Sequence, residues 1–379
     1  MTTDITARIG SFHPPQRTLM GPGPSDVPPR VLAAMGRPTV GHLDPEFIRM
    51  MDEVKVLLQQ AFLTTNALTL PVSAPGSAGM ETCFANLVEP GCKVLVCVNG
   101  VFGTRMVENV RRIGGEAVVV NDDWGTPVDV SKVEEALKAD SEIAILAFVH
   151  AETSTGVRSD AKALCALAQQ YDCLSIVDAV TSLGGIELRV DDWQVDAIYS
   201  GTQKCLSCPP GISPISLSPR AVEQIKARNT PIQSWFQDLT LVMGYWGGEG
   251  GARAYHHTAP VNALYALHES LVMLAEEGLE QSWARHAEQH QALRTGVEAL
   301  GLGFLVDEAF RLPQLNSIKV PDGVDEAAVR RYLLQEHDLE IGAGLGALAG
   351  KVWRVGLMGA SANPRNVNLF LAGLAQAIA

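Results

Sequence analysis

Basic residues are scarce in this chain. Against 42 Asp and Glu, the 379 residues include only 29 Lys and Arg, which leaves a formal net charge of −13. A surface with that balance is unsuited to sequence-independent binding of a nucleic-acid backbone or to docking on anionic lipid. Long apolar runs are missing as well. The longest candidate, Ala144 to Val149, is strand-sized and far short of the ~18 residues of a membrane span. The first ten residues carry Asp4 and no apolar signal core, and the last four, Gln376 to Ala379, are not a peroxisomal SKL-type address. Cysteines number seven, an odd count scattered through the chain, which reads as free buried thiols in a reducing compartment; a cytoplasmic location is expected. Charged residues make up only 19% against 47% hydrophobic, which excludes a disordered chain or a coiled coil. There is no internal repeat and no low-complexity linker.

What is present is an alternation. Strand-like apolar runs occur at Lys93 to Val98, Ala117 to Val120, Ile143 to Val149, Leu174 to Val177, Ala197 to Ser200 and Ile212 to Leu217, with helical stretches between them. Ser159 is the expected N-cap of a helix whose Leu164, Leu167, Ala168 and Tyr171 recur at helical spacing. Short buried strands separated by helices predict a mainly parallel sheet in a three-layer α/β domain. After residue 260 the pattern changes. Two consecutive helices are expected over Pro260 to Glu277 and Leu279 to Leu300. A strand at Asn316 to Val320, a helix near Asp325 to Leu334, a Gly-rich loop at Gly342 to Gly350 and a strand at Val352 to Leu357 follow. A closing helix comes last, with Asn363 as N-cap and Pro364 at its first position. The expected division is an arm over 1–19, a large domain over 20–260 and a small C-terminal α+β domain over 261–379.

Ligands of open parallel sheets sit beyond the carboxyl ends of the strands. Four features fall at such ends or in a neighbouring strand. Ser73 to Gly79 follows an apolar run and opens a helix, where small residues let backbone N–H groups reach a phosphate; an ordinary helix start would look the same. Asp178, after Leu174 to Val177, suits a partner for a protonated heterocyclic nitrogen, or a plain helix cap. Lys204, one βαβ step further on, is placed to form a Schiff base, or is a solvated surface lysine. Arg354, inside the apolar run Val352 to Gly356, could fork onto a substrate carboxylate or belong to a structural ion pair.

Taken together the motifs resemble a known family. GPGPS at Gly21 to Ser25, GMETCFANLVEPG at Gly79 to Gly91 and HAETSTG at His150 to Gly156 match it. So do VDAVTSLGG at Val177 to Gly185, YSGTQK with PPG at Tyr199 to Gly211, YHHT at Tyr255 to Thr258 and GKVWRVGLMG at Gly350 to Gly359. In order and spacing these are similar to the class V, fold-type I pyridoxal-phosphate aminotransferases, in their alanine–glyoxylate and serine–pyruvate branch. The resemblance implies pyridoxal 5′-phosphate as cofactor, held covalently by Lys204 with Asp178 on its ring nitrogen. It implies Thr153 near the phenolic oxygen and Phe102 stacked on the ring. Gly76, Ser77, Ala78 and Gln203 would hold the phosphate, with Tyr255 and Thr258 reaching across from a second subunit. Arg354 would grip the substrate carboxylate, and Gly23 would line the substrate side. Pro75, Ser77, Phe102 and Thr153 stand where relatives often have Ser, His, Trp and Ser.

The implied activity is a ping-pong transamination from a small L-amino acid, alanine first and serine second, to glyoxylate or pyruvate. Its partners are those amino and 2-oxo acids and a second copy of the chain, with neither nucleic acid nor membrane. Two other readings compete. A lyase of the cysteine desulfurase type needs a mobile reactive cysteine, for which Cys205 and Cys208 are the candidates beside Lys204. A binding protein that kept the fold but lost catalysis would have no need of Lys204, Asp178 and Arg354 together. Cys205 to Cys208 is a lone C-x-x-C without the second pair a structural zinc requires, so no metal is expected. Gly342 to Ala347 partly mimics a dinucleotide fingerprint but lacks the following crossover helix.

Overall fold

The computed structural model describes residues 10–247 and 253–379. Residues 1–9 of the expected arm, and 248–252 of the expected large domain, lie outside the described residues.

Helix α1 (Pro45–Phe62) is started by Asp44, whose side chain accepts from Glu46 N, with proline in its first turn. There follow β1 (Leu68–Val72), α2 (Gly76–Leu87), β2 (Lys93–Val98), α3 (Val101–Ile113), β3 (Glu116–Asn121), α4 (Val130–Ala139) and β4 (Ile143–Val149). Next come α5 (Ala161–Gln170), β5 (Leu174–Asp178), β6 (Ala197–Tyr199) and β7 (Ser213–Leu217). One seven-stranded sheet results, in the order β1-β7-β6-β5-β4-β2-β3. The neighbours from β6 to β3 pair in parallel, as expected. Strand β7 is antiparallel to both β6 and β1. Strands β1, β5 and β7 are buried along their whole length, on both faces of the sheet, including Thr69, Ser175, Ser213 and Ser216.

One helix start differs from expectation. Asp160, not Ser159, caps α5, its Oδ1 accepting from Ala163 N at 3.0 Å. The Ser159 hydroxyl is turned instead to Val128 N at 3.1 Å, where it satisfies a buried donor of the neighbouring loop.

The chain then runs through α6 (Val261–Glu277), α7 (Leu279–Ala299), β8 (Leu315–Lys319), α8 (Glu326–His337), β9 (Gly342–Ala343), β10 (Val352–Gly356) and α9 (Pro364–Ala377). Strands β8, β10 and β9 form a small antiparallel sheet. The Gly-rich stretch therefore includes a short edge strand. Among the described residues two large apolar cores result, with a small third cluster of Ala151, Ile186, Cys205, Leu312, Leu315 and Met358. The larger holds the seven-stranded sheet together with Val261, Leu264, Leu267, Leu271 and Leu274 of α6. The smaller gathers Leu293, Ile318, Leu333, Trp353 and Phe370, and also Met20. Helix α6 thus packs with the large core although it lies beyond residue 260. The segment Thr18–Leu19 pairs in parallel with Leu339–Glu340 of the small unit, carrying Met20 into that core before the chain reaches α1. The crossing brings Pro22 and Gly23 between the two cores.

Candidate active site

Adjacent parallel strands place their last residues side by side. Asp178 ends β5 and pairs with Tyr199, which ends β6. The Tyr199 hydroxyl donates to Asp178 Oδ2 at 2.8 Å, and Val180 N donates to Oδ1 at 2.9 Å. Asp178 is buried, and burial pushes its carboxyl up to about 7, opposed by those two hydrogen bonds. It makes no ion pair among the described residues. A buried carboxylate without a cation is an unbalanced charge, and a protonated ring nitrogen would balance it.

Lys204 follows β6 in a turn of small residues and is 7% exposed, so it is no surface lysine. Its Nζ donates to Pro22 O. Burial, reinforced by the Arg354 charge, pulls its amine down to about 8. Gly23 sits at φ +103, a backbone conformation that calls for glycine, and a Cβ there would lie 2.6 Å from Lys204 Nζ.

Helix α2 begins at Gly76 with Pro75 before it and no side-chain cap; Ala78 N donates to Pro75 O at 2.7 Å, and the N–H groups of Gly76 and Ser77 are left for another acceptor. A Cβ on Gly76 would lie 3.3 Å from Val180 Cγ2 and 3.4 Å from Ser200 O. The helix start is thereby seated against the loops that follow Asp178 and Tyr199. Ser77 Oγ accepts from Arg105 Nη1 at 2.9 Å, and the Arg105 guanidinium lies 5.0 Å from the centre of the Phe102 ring. Gln203 Oε1 is buried without a partner.

Arg354, in the middle of β10, is 6% exposed. Its Nε donates to Ala343 O at 2.7 Å and its Nη1 to Thr153 O at 3.1 Å. Among the described residues it forms no ion pair, so the structural-pair reading has no partner to rest on. Burial draws the guanidinium down to about 10, with Glu152 acting the other way. Thr153 Oγ1 is 2.6 Å from Thr181 Oγ1, at the turn beyond β5.

Tyr255 and Thr258 stay on the surface, Tyr255 being 63% exposed. Between them His257 Nε2 lies 2.7 Å from Ser73 Oγ, just ahead of α2, and His256 stacks on Trp235 with ring centres 4.3 Å apart.

Four residues join the site that motif reading did not single out: Tyr199, Arg105, Glu152 and Thr181. Arg105 lies one helical turn from Phe102, a spacing that could have marked it. Tyr199 becomes visible only through the strand register.

The cysteines beside Lys204 are poorly suited to attack. Burial pushes both Cys205 and Cys208 thiols up to about 12, and Cys205 Sγ points at Thr181 O at 3.5 Å.

Residues 18–358 match the model of the aminotransferase class-V family. The chain belongs to that family. It is 43% identical to the alanine–glyoxylate aminotransferase of Oryctolagus cuniculus over 96% of this chain and 93% of that protein. It is 38% identical to the (S)-ureidoglycine–glyoxylate transaminase of Bacillus subtilis, over 95% of this chain and 90% of the other. The crystal structure of an alanine–glyoxylate aminotransferase from Nostoc sp. superposes with a TM-score of 0.96 at 44% identity, covering all of both chains. The fold of this class-V aminotransferase is accordingly the fold-type I α/β architecture of its relatives. Among the described residues no helix is long and apolar enough to cross a membrane.

Proposed function

We propose that this chain is a pyridoxal phosphate-dependent transaminase that passes the amino group of a small L-amino acid to glyoxylate or pyruvate, with alanine preferred to serine. One observation carries the reading. A buried lysine, a buried carboxylate and a buried guanidinium converge at the strand ends, and none of the three has an ion-pair partner in the described protein. Each lacks what a different part of cofactor or substrate would bring. The names of the relatives, two of them glyoxylate aminotransferases, support the acceptor.

When bound, pyridoxal phosphate supplies an aldehyde that takes up an amine and a ring that draws electrons from the adjacent Cα–H bond. Lys204 would hold it covalently until the amino donor takes its place. The freed Nζ, whose amine burial draws down to about 8, would suit the transfer of a proton from substrate Cα to the cofactor's C4′. Asp178, whose anion Tyr199 and Val180 N–H favour against the opposing effect of burial, would hold the ring nitrogen protonated and be held ionised by it. The uncapped first turn of α2, at Gly76, Ser77 and Ala78, would take the phosphate with Gln203 beside it, and Phe102 would cover the ring. Thr153 would meet the phenolic oxygen. Arg354 would fork onto the substrate carboxylate.

At Gly23 the backbone lies close against Lys204, and this close approach supports a small substrate side that favours alanine and serine. We assign Tyr255 and Thr258 to the phosphate of a partner subunit. Their exposure beside Trp235, 62% exposed, and Phe236, 37% exposed, supports an apolar face covered by a second copy. A desulfurase reaction is disfavoured by the high thiols of Cys205 and Cys208.

The test is a half-reaction. Loaded enzyme mixed with alanine, without acceptor, should release one pyruvate per chain and bleach the visible band, and glyoxylate should then restore the band. Sulfide from cysteine, or no keto acid from alanine or serine, would overturn the assignment.

A further inference from the structure

Among the described residues, Glu152 is the one fully buried carboxylate near the site for which the mechanism above has no use. It ends the two-residue strand Ala151–Glu152 of the hairpin after β4, with no exposed surface. Its Oε1 accepts from Ser154 N at 3.0 Å and from Ser154 Oγ at 2.6 Å. Its Oε2 accepts from Phe102 N at 3.2 Å, and Gly103 N also donates to the carboxylate. Three of those four donors are backbone N–H groups, which cannot accept. Those backbone donors favour the anion, while burial pushes the carboxyl the other way, up from its ordinary value. Helix α3 itself has no side-chain cap from its N-cap residue, Gly100. Glu152 does that work from a different strand, and the start of the helix favours its negative charge.

The sequence makes room for this arrangement. A Cβ on Gly100 would collide with Glu152 Cδ and come within 2.5 Å of Ser154 Oγ. The backbone of Gly100 is extended, so space alone calls for glycine there. Val101 N also donates to Ser154 Oγ, at 3.1 Å, which closes a network of the first turn of α3 with the Glu152–Ser154 turn. Between those two residues lies Thr153, whose carbonyl receives Arg354 Nη1 at 3.1 Å.

We infer that Glu152 is a positioning residue: by capping α3 from the β4 turn it locks the Phe102 face of the cofactor pocket to the turn that orients Arg354. One carboxylate then fixes the spacing between the ring-covering wall and the carboxylate-gripping wall. This rests on the pyridoxal phosphate reading for its functional consequence, but the cap itself is a property of the chain.

The test uses Glu152→Gln in the full-length protein, with Gly100→Ala as a second variant that attacks the same contact from the opposite side. A Gln amide keeps one acceptor oxygen but sets its NH2 group against donors at the other position. Amide exchange at Phe102 and Gly103 in the cofactor-free protein should speed up by at least ~10-fold. Ser154→Ala, which leaves Oε2 on Phe102 N, should change Phe102 exchange by less than ~2-fold. Affinity for pyridoxal phosphate should fall by ~10-fold or more, and the visible circular dichroism per bound cofactor should drop, because the ring is no longer held at one angle to Phe102. KM for alanine should rise more than kcat falls. Unchanged exchange at Phe102 with unchanged cofactor affinity in either variant overturns the inference. A lower melting temperature with normal exchange, affinity and dichroism also overturns it, since Glu152 would then be structural only. A wild-type chain that does not take up pyridoxal phosphate overturns the cofactor reading instead, and is distinguishable because the exchange measurement needs no cofactor.

Discussion

Lys204 illustrates how a functional residue is held against its own stability. Its amine sits at about 8 instead of 10.5, a burial cost on the order of 3 kcal/mol for the charged form. The cost is full below pH 8, where the lysine is charged both folded and unfolded. It fades as pH rises toward 10.5, where it is neutral in both. In the cofactor-free protein Lys204→Met should therefore raise stability by ~1–3 kcal/mol at pH 7, with the gain vanishing by about pH 10.5, as denaturant titrations at a series of pH values would record. A Met variant that destabilises at pH 7 would mean that the amine gains more from Pro22 O than it loses by burial. Arg354 offers the companion case. Arg354→Lys keeps a charge but loses the fork and the contacts to Ala343 O and Thr153 O, so kcat/KM for alanine should fall ~100-fold or more with the visible band retained. Steady-state kinetics on the loaded variant check this; near-normal efficiency would remove Arg354 from the substrate site. At this scale the sequence was largely readable, because Arg354 stands inside an apolar run, Asp178 directly follows one, and Lys204 lies in the YSGTQK stretch. What it could not show is that all three lack an ion-pair partner, which depends on contacts between residues as distant as Thr153 and Arg354.

Elements decide where those side chains meet. The site exists because β5 and β6 end in register, which sets Tyr199 beside Asp178, and because α2 begins against the loops after both. Tyr199→Phe removes the donor on Asp178 Oδ2 and leaves that buried oxygen unsatisfied, a cost of ~1–3 kcal/mol. The Asp178 carboxyl should then move up, and kcat/KM should fall ~10- to 100-fold while the fold persists; kinetics alongside far-ultraviolet circular dichroism would test it, and an unaltered kcat/KM would deny Tyr199 a role. Elements were legible in unequal measure. Parallel strands from β2 to β6 followed from short apolar runs between helices. The direction of β7 did not, since a fully buried strand carries no pattern that distinguishes its orientation. Ser159 and Asp160 are adjacent cap candidates, and only the nearby Val128 N–H decides between them. Strand β9 hid in a Gly-rich loop because its pairing comes from β10, not from its own composition.

On the scale of the whole molecule, the chain folds around two cores joined by the Pro22–Gly23 crossing and by β10 with Arg354. Substrate size follows from that junction. Glycine at 23 allows the backbone to approach, and no second arginine in the matched motifs is set to receive a distal carboxylate. Aspartate and glutamate should be at least ~10-fold poorer donors than alanine in a panel at fixed enzyme, and faster turnover of either would refute the small-pocket account. The dimer is testable by complementation. A Lys204→Ala chain mixed with a Tyr255→Phe, Thr258→Ala chain should regain activity through one intact shared site per mixed dimer; absence of rescue in verified mixed dimers would count against Tyr255 and Thr258 reaching across.

The central claim, that the buried amine at the end of β6 anchors a carbonyl cofactor, is tested most directly by reductive trapping. The purified protein is loaded with pyridoxal phosphate, reduced with borohydride and digested, and the adduct is mapped by mass spectrometry. The account predicts one stable phosphopyridoxyl group per chain, on Lys204. An adduct on any other lysine, or none after loading, would contradict it.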